Sequence, residues 1–146
     1  MDWEIYQKRR LQPAALPPLF TKTHLPGKVR LVSAPPTSER EAVQAIPLTP
    51  ALPPAENENW SAFAAGQDEI HLPPNCIRRV IFSLEDYLVA YPELTLSGGQ
   101  GARIQVGWAE SARAQPDFWN NDKGRRDELW GKYLVTQADE ILPDGS

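Results

Sequence analysis

Apolar and polar residues alternate most clearly where Ala102, Ile104, Val106 and Trp108 fall at every second position, with Arg103 and Gln105 between them. That period of two predicts a strand with one face in a core and the other in water. Gly98, Gly99, Gln100 and Gly101 in front predict a turn, because glycine takes positive φ at little steric cost. Glu110 has the parity of Trp108, so an unbroken strand would aim its carboxylate toward the apolar side or its rim. A charge-rich loop then leads to a second apolar run, Leu129, Trp130, Gly131, Lys132, Tyr133, Leu134 and Val135. The chain reads as organised around this pair of strands.

The same pattern recurs upstream in shorter pieces. Val29, Arg30, Leu31 and Val32 predict a short strand, and Ile70, His71 and Leu72 another, ended by Pro73 and Pro74. Val80, Phe82 and Leu84 alternate with Arg79, Ile81 and Ser83, which predicts a strand over 77–84. After a break at Glu85 and Asp86, the run from Tyr87 to Tyr91 is aromatic and β-prone. Leu94 and Leu96 then alternate with Glu93, Thr95 and Ser97, behind a proline that confines the run to an edge or first position. Short strands at a spacing of roughly 8–12 residues predict an all-β sandwich. A helical reading of 108–113 would have only about two turns before Pro116.

The first part of the chain is different. Trp3, Ile5 and Tyr6 are a candidate edge strand, and Lys8, Arg9 and Arg10 read as solvated charge. Leu16, Pro17, Pro18 and Leu19 must be extended, since each proline lacks a donor and restricts its predecessor. Residues 33–54, with Pro35, Pro36, Pro47, Pro50, Pro53 and Pro54, read as a connector. Within it, Ser38 and Glu41 have the form of a capping box, which predicts a short helix over 39–46 stopped by Pro47. The sharper alternative for the Pro-Pro segments is a docking ligand for an adaptor's partners. The expected organisation is a lead and connector over 1–59 and a β-sandwich module over 60–146.

Composition narrows the function classes. A chain of 146 residues has room for one domain. Its 15 prolines are about twice the usual ~5%, in keeping with the extended lead. A net charge of −4 gives no electrostatic reason to expect nucleic acid, which needs a concentrated basic surface. Cys76 is the only cysteine, so no internal disulfide and no cysteine-rich metal site can form. No apolar run approaches the ~20 residues needed to span a bilayer, and the first residues lack the apolar segment of a signal peptide. As written, the sequence predicts a cytoplasmic chain that binds no membrane and needs no cofactor.

Three groups of residues carry candidate chemistry. Glu110 with Asp127 or Glu128 would make a carboxylate pair for acid/base cleavage of a glycosidic bond, which needs two carboxyls about 5–10 Å apart. Against that, Asp127 and Glu128 stand beside Lys123, Arg125 and Arg126 and would simply neutralise them. Phe118, Trp119 and Trp130 offer aromatic faces that stack on the C–H faces of sugars, with Asn120, Asn121 and charged groups to bond hydroxyls. Their ordinary reading is core for Trp130 and a loop anchor for Trp119. His24 and His71 are far apart without acidic partners, and Cys76 has no activating base in view.

Taken together, the segment VIFSLEDYLVAYPELTLSGGQGARIQVGWAES, then KGRRDELWGK and DEILPDGS, resembles the N-terminal β-sandwich region of bacterial α-L-rhamnosidases. The likeness rests on linked motifs in one order: Ala109 and Glu110, then Lys123, Gly124, Arg125 and Arg126, then Gly131 and Lys132. Asp139 and Glu140, and lastly Pro143, Asp144 and Gly145, complete it. It covers roughly the last half of the chain. Arg125 stands where the family tends to carry asparagine, and Trp130 where a carboxylate is usual. The resemblance implies an inverting glycoside hydrolase whose catalytic carboxylates lie in an (α/α)₆ barrel beyond Ser146, together with the last strands of the sandwich.

The expectation is therefore a jelly-roll-like antiparallel β-sandwich, incomplete at its C-terminal end, serving as a non-catalytic accessory module. Its partners would be the catalytic domain of the parent enzyme and a rhamnose-containing glycan. The candidate carbohydrate-binding residues are Glu110, Trp119, Lys123, Arg126, Asp127, Glu128 and Trp130. The alternatives are a stand-alone glycosidase using the Glu110 pair, and a proline-rich adaptor.

Overall fold

A computed structural model describes residues 22–35, 43–46, 54–84, 86–117, 119 and 122–146. In chain order the elements are β1 (Lys28–Ser33), β2 (Val43–Ala45), α1 (Pro54–Ala64), β3 (Arg79–Ser83), β4 (Ile104–Trp108), β5 (Tyr133–Val135) and β6 (Gln137–Ile141). The strands form three two-stranded antiparallel ladders, β1 with β3, β2 with β5, and β4 with β6. Strand makes up 24% of the described residues and helix 10%, so the fold is mainly β.

β1 and β3 are the apolar alternations expected from the sequence. A register shift between Val29 and Leu31 marks a bulge, which breaks strict in-out alternation. Past the bulge the register is regular, and Leu31, Val32 and Ser33 are all buried, so both faces of this end of β1 are covered. Gly27, just before β1, has φ 84°, and a Cβ there would lie 2.3 Å from the Ser83 carbonyl oxygen. Only glycine fits this close approach of two backbones.

α1 packs against β1. Its first position is Pro54, where the missing N–H is not needed, and Glu56 in the first turn complements the helix dipole. At the other end Gln67 N–H donates to the Ala62 carbonyl at 3.0 Å and Gly66 N–H to Phe63 at 2.9 Å. With Gly66 at φ 69°, this is a Schellman cap. Trp60 meets Phe63 edge-on at 5.6 Å and Phe82 at 6.4 Å, which ties α1 to β3. Arg78 grips Glu56 through two bonds of 2.6 and 2.7 Å.

The core joins the ladders. Leu31, Ile46 and Ala112 are buried together, with Ile81, Leu129 and Leu134 against them. Beyond β2, Ile46 N–H donates to Lys132 at 2.8 Å and accepts through its carbonyl from Gly131 at 3.2 Å. Arg79 reaches across to the Ala45 carbonyl at 3.0 Å. Thus β1 and β2, from the stretch read as a lead and connector, pair with β3 and β5 of the expected module.

Several expectations are corrected. The helix expected over 39–46 gives way to strand β2 at Val43–Ala45. An isolated helix of that length is marginal, whereas a strand here finds a partner in β5. The run from Leu129 to Tyr133 turns at Trp130 and Gly131, so only Tyr133–Val135 forms β5. The partner of β4 is β6, in register Ile104↔Ile141 and Val106↔Asp139. Trp108 is 48% exposed, and β4 stops there. No strand forms at 70–72, 87–91 or 94–96, although the sequence predicts β structure at each. The expectations for Trp3, Ile5 and Tyr6, for 16–19, and for Ser38, Glu41, Phe118, Asn120 and Asn121 lie outside the described residues. Among the described residues no helix is long and apolar enough to cross a membrane.

Candidate functional site

The loop joining β4 to β5 is pinned at both ends. Ala112, 1% exposed, sinks into the core at its start and Leu129 packs against the same core near its end. Arg113 and Tyr133 exchange backbone bonds of 2.8 and 2.9 Å, and Ala114 N–H donates to the Asp122 carbonyl at 2.9 Å. Lys132 then acts as an internal brace, its ammonium donating to the carbonyls of Lys123, at 2.8 Å, and Arg125. Asp122 turns the chain by accepting from Gly124 N–H at 3.0 Å. From below, Arg30 of β1 holds the Asp127 carbonyl at 2.7 Å. The positions of Lys123 and Arg126 are therefore set by backbone bonds, by the Lys132 and Arg30 side chains, and by Ala112 and Leu129 at the core.

On this frame three donors converge on Glu110. Lys123 Nζ bonds Oε2, Arg126 Nη1 bonds Oε1 at 2.8 Å, and the Tyr87 hydroxyl donates to Oε1 at 3.1 Å. Arg126 also donates to the Tyr87 oxygen. The Lys123 bond holds the Glu110 carboxyl below the usual glutamate range, the Tyr87 bond adds to that, desolvation opposes it, and the charges of Lys123 and Arg126 lower it further. The Lys123 side chain is 12% exposed, but that of Arg126 is 56% exposed. One carboxylate thus faces two cations, and the outer cation keeps unused N–H groups toward solvent.

The sequence-predicted residues divide. Glu110, Lys123 and Arg126 come together. Glu128 instead pairs with Arg125 at 3.2 Å, and Asp127 engages Arg30 through its main chain while its side chain stays at the surface. Trp119 is 95% exposed and held by its backbone N–H to the Asp117 carboxylate at 2.8 Å. Trp130, 43% exposed, sits in the turn before β5 and not in the core. Lys123 and Arg126 therefore share Glu110 across the loop, while Arg125 pairs with the nearby Glu128 as expected.

Tyr87 and Lys132 belong to the site although neither is among the candidate binding residues of the sequence. Nothing local marks Tyr87, because its partners are 23 and 39 residues away. Lys132 was visible only as one member of a Gly-Lys pair. A concave region of about 230 Å³ lies elsewhere, between α1 and the segment before β3, lined by Trp60, Leu72, Cys76 and the Glu56–Arg78 pair. Comparison of the chain with protein-family models, curated proteins and solved structures finds no match.

Proposed function

We propose that this chain is a non-catalytic accessory β-sandwich module of an α-L-rhamnosidase-like glycoside hydrolase, of jelly-roll type. In this reading it packs against the catalytic domain and holds a rhamnose-containing glycan at the Glu110 cluster. The supporting observation is the convergence of Tyr87, Lys123 and Arg126 on the Glu110 carboxylate of a braced, exposed loop. A general acid needs a carboxyl that keeps its proton near neutral pH, hence a raised pKa. Glu110 is shifted the other way, which favours a carboxylate that orients cations over one that donates a proton. The remaining N–H groups of Arg126 and the open faces of Trp119 and Trp130 on the same loop suit hydroxyls and apolar sugar faces.

Calorimetric titration of the whole chain with rhamnose-containing oligosaccharides tests the reading. The expected result is a heat of binding that Arg126→Met removes while the fold, followed by circular dichroism, is kept. No heat at millimolar ligand would overturn sugar binding. Release of aglycone from an aryl rhamnoside by this chain alone, lost in Glu110→Gln, would replace it with the stand-alone glycosidase.

A further inference from the structure

Residues 87–97 have the sequence of a strand and an extended course, but no partner strand among the described residues. The run is aromatic and β-branched in its first half and alternates in its second, the composition that favours a pleated surface. From 87 to 99 the chain makes no turn or bend, and every residue of 87–97 keeps a negative φ. Yet no backbone hydrogen bond joins 87–97 to any described residue. The side chains are sorted by parity. Leu88, Leu94 and Leu96 are 36–41% exposed, whereas Tyr87, Val89 and Tyr91 are 75%, 105% and 97% exposed. The leucines are the less exposed row, and Tyr87, Val89 and Tyr91 stand outward beside backbone groups that, with Pro92 lacking a donor, have no bond among the described residues. A row of this kind is what a docking strand pairs with.

Charge narrows the occupant. Between Val80 and Ala102 the chain has Glu85, Asp86 and Glu93 and no lysine, arginine or histidine. Two copies paired through this segment would bring acids together without a base between them, and like charges across a ladder are destabilising. We infer that residues 87–97 are an acceptor edge for an extended segment of another polypeptide, with large apolar side chains at alternate positions and arginine or lysine at its ends. Main-chain bonds would supply affinity, the alternating side chains would fix the register, and the basic ends would meet Asp86 and Glu93. This rests on the backbone, exposure and charge pattern of 87–97 and not on sugar binding, with which it shares only Tyr87, the residue that also bonds Glu110.

The test uses the isotope-labelled full chain and a short synthetic peptide in which valine and phenylalanine alternate with threonine, with an arginine at each end. Amide shifts and slowed exchange confined to 87–97 are expected, weakened by added salt and by glutamates in place of the arginines. Val89 is fully exposed, so Val89→Pro removes a donor and blocks a ladder without touching the core. It should weaken the peptide at least about tenfold, and Val89→Lys should do the same through charge. Unmoved amides in 87–97, or equal binding of the glutamate peptide, would overturn the inference. So would sedimentation showing that the chain dimerises through this segment and that Val89→Pro abolishes the dimer, since the occupant would then be a second copy.

Discussion

The two sides of this molecule are held by different forces. Around α1, β1 and β3, order comes from apolar burial: Leu31, Val32 and Ala64 are inside, and Trp60, Phe63 and Phe82 contact one another. Its notable ion pair, Glu56 with Arg78, is a closed fork. Between β4 and β5, one methyl group and one leucine enter the core, and the remaining order comes from main-chain bonds and the Lys132 brace. Its ion cluster is open, because Arg126 keeps donors toward solvent. The apolar side is built to persist. The polar side holds charged groups in place while leaving them accessible, which is the property a binding loop needs.

The sharpest break of that contrast is Leu31→Ala. Leu31 is 2% exposed at the junction of both sides, and large-to-small changes at such sites cost about 2–5 kcal/mol. Denaturant unfolding should show a loss of that size, with both sides melting together. Gly27→Ala comes next. Its Cβ would meet the Ser83 carbonyl oxygen at 2.3 Å, and φ is in the left-handed region, so a loss of about 1–3 kcal/mol is expected by the same measurement.

Lys132→Met separates the two sides. It leaves the apolar stem but removes the donor to the Lys123 and Arg125 carbonyls, at a cost of about 1–3 kcal/mol. Amide exchange should accelerate over 122–131 and stay unchanged in β1 and β3. An equal acceleration in β1 would show that the loop is held from the core and not by its brace.

What was legible beforehand follows the same division. β1, β3 and β4 announced themselves because one row of each strand meets apolar neighbours, and alternation in sequence records that directly. β6 was silent: Gln137, Ala138, Asp139 and Glu140 carry almost no apolar signal, and its pairing is stabilised by Arg103 and Gln105 on Glu140 from the opposite strand. α1 was hidden by Pro53 and Pro54, which suggest a connector although proline is well suited to a first helical position. Residues 87–97 show the reverse error. The pattern of a strand was present, but a ladder needs a second strand, and pattern alone cannot supply one. At the site, Glu110, Lys123 and Arg126 were found because loop charges are conspicuous, while Tyr87 depended on a long-range approach.

The pH response sharpens the comparison of the two ion clusters. Glu110 and Glu56 are both shifted below the ordinary glutamate range, by hydrogen bonds from Lys123 and from Arg78 respectively. A carboxyl lowered by folding stabilises above its unfolded pKa, and that contribution is lost as pH falls through the folded value. Carboxyl chemical shifts should therefore give low midpoints for both. Lys123→Met should move the Glu110 midpoint up more than Tyr87→Phe does, and should leave Glu56 in place. Equal effects of the two substitutions would show that charge and hydroxyl contribute alike.

The smallest effect belongs to the exposed face of β4 and β6. Arg103 bonds Glu140 at 2.5 Å, but the two side chains are 43% and 32% exposed. Surface pairs of this kind contribute about 0–1 kcal/mol, and salt weakens them further. Arg103→Ala should thus change unfolding by no more than about 1 kcal/mol, and less in high salt. Glu140 also accepts from Gln105 at 3.3 Å, so it keeps a neutral donor after the change. A larger, salt-insensitive loss would mean that this polar face is needed to hold β6 in register, since β6 has little apolar surface of its own. The β4–β6 ladder would then belong with the polar side of the molecule, ordered by side-chain bonds more than by burial.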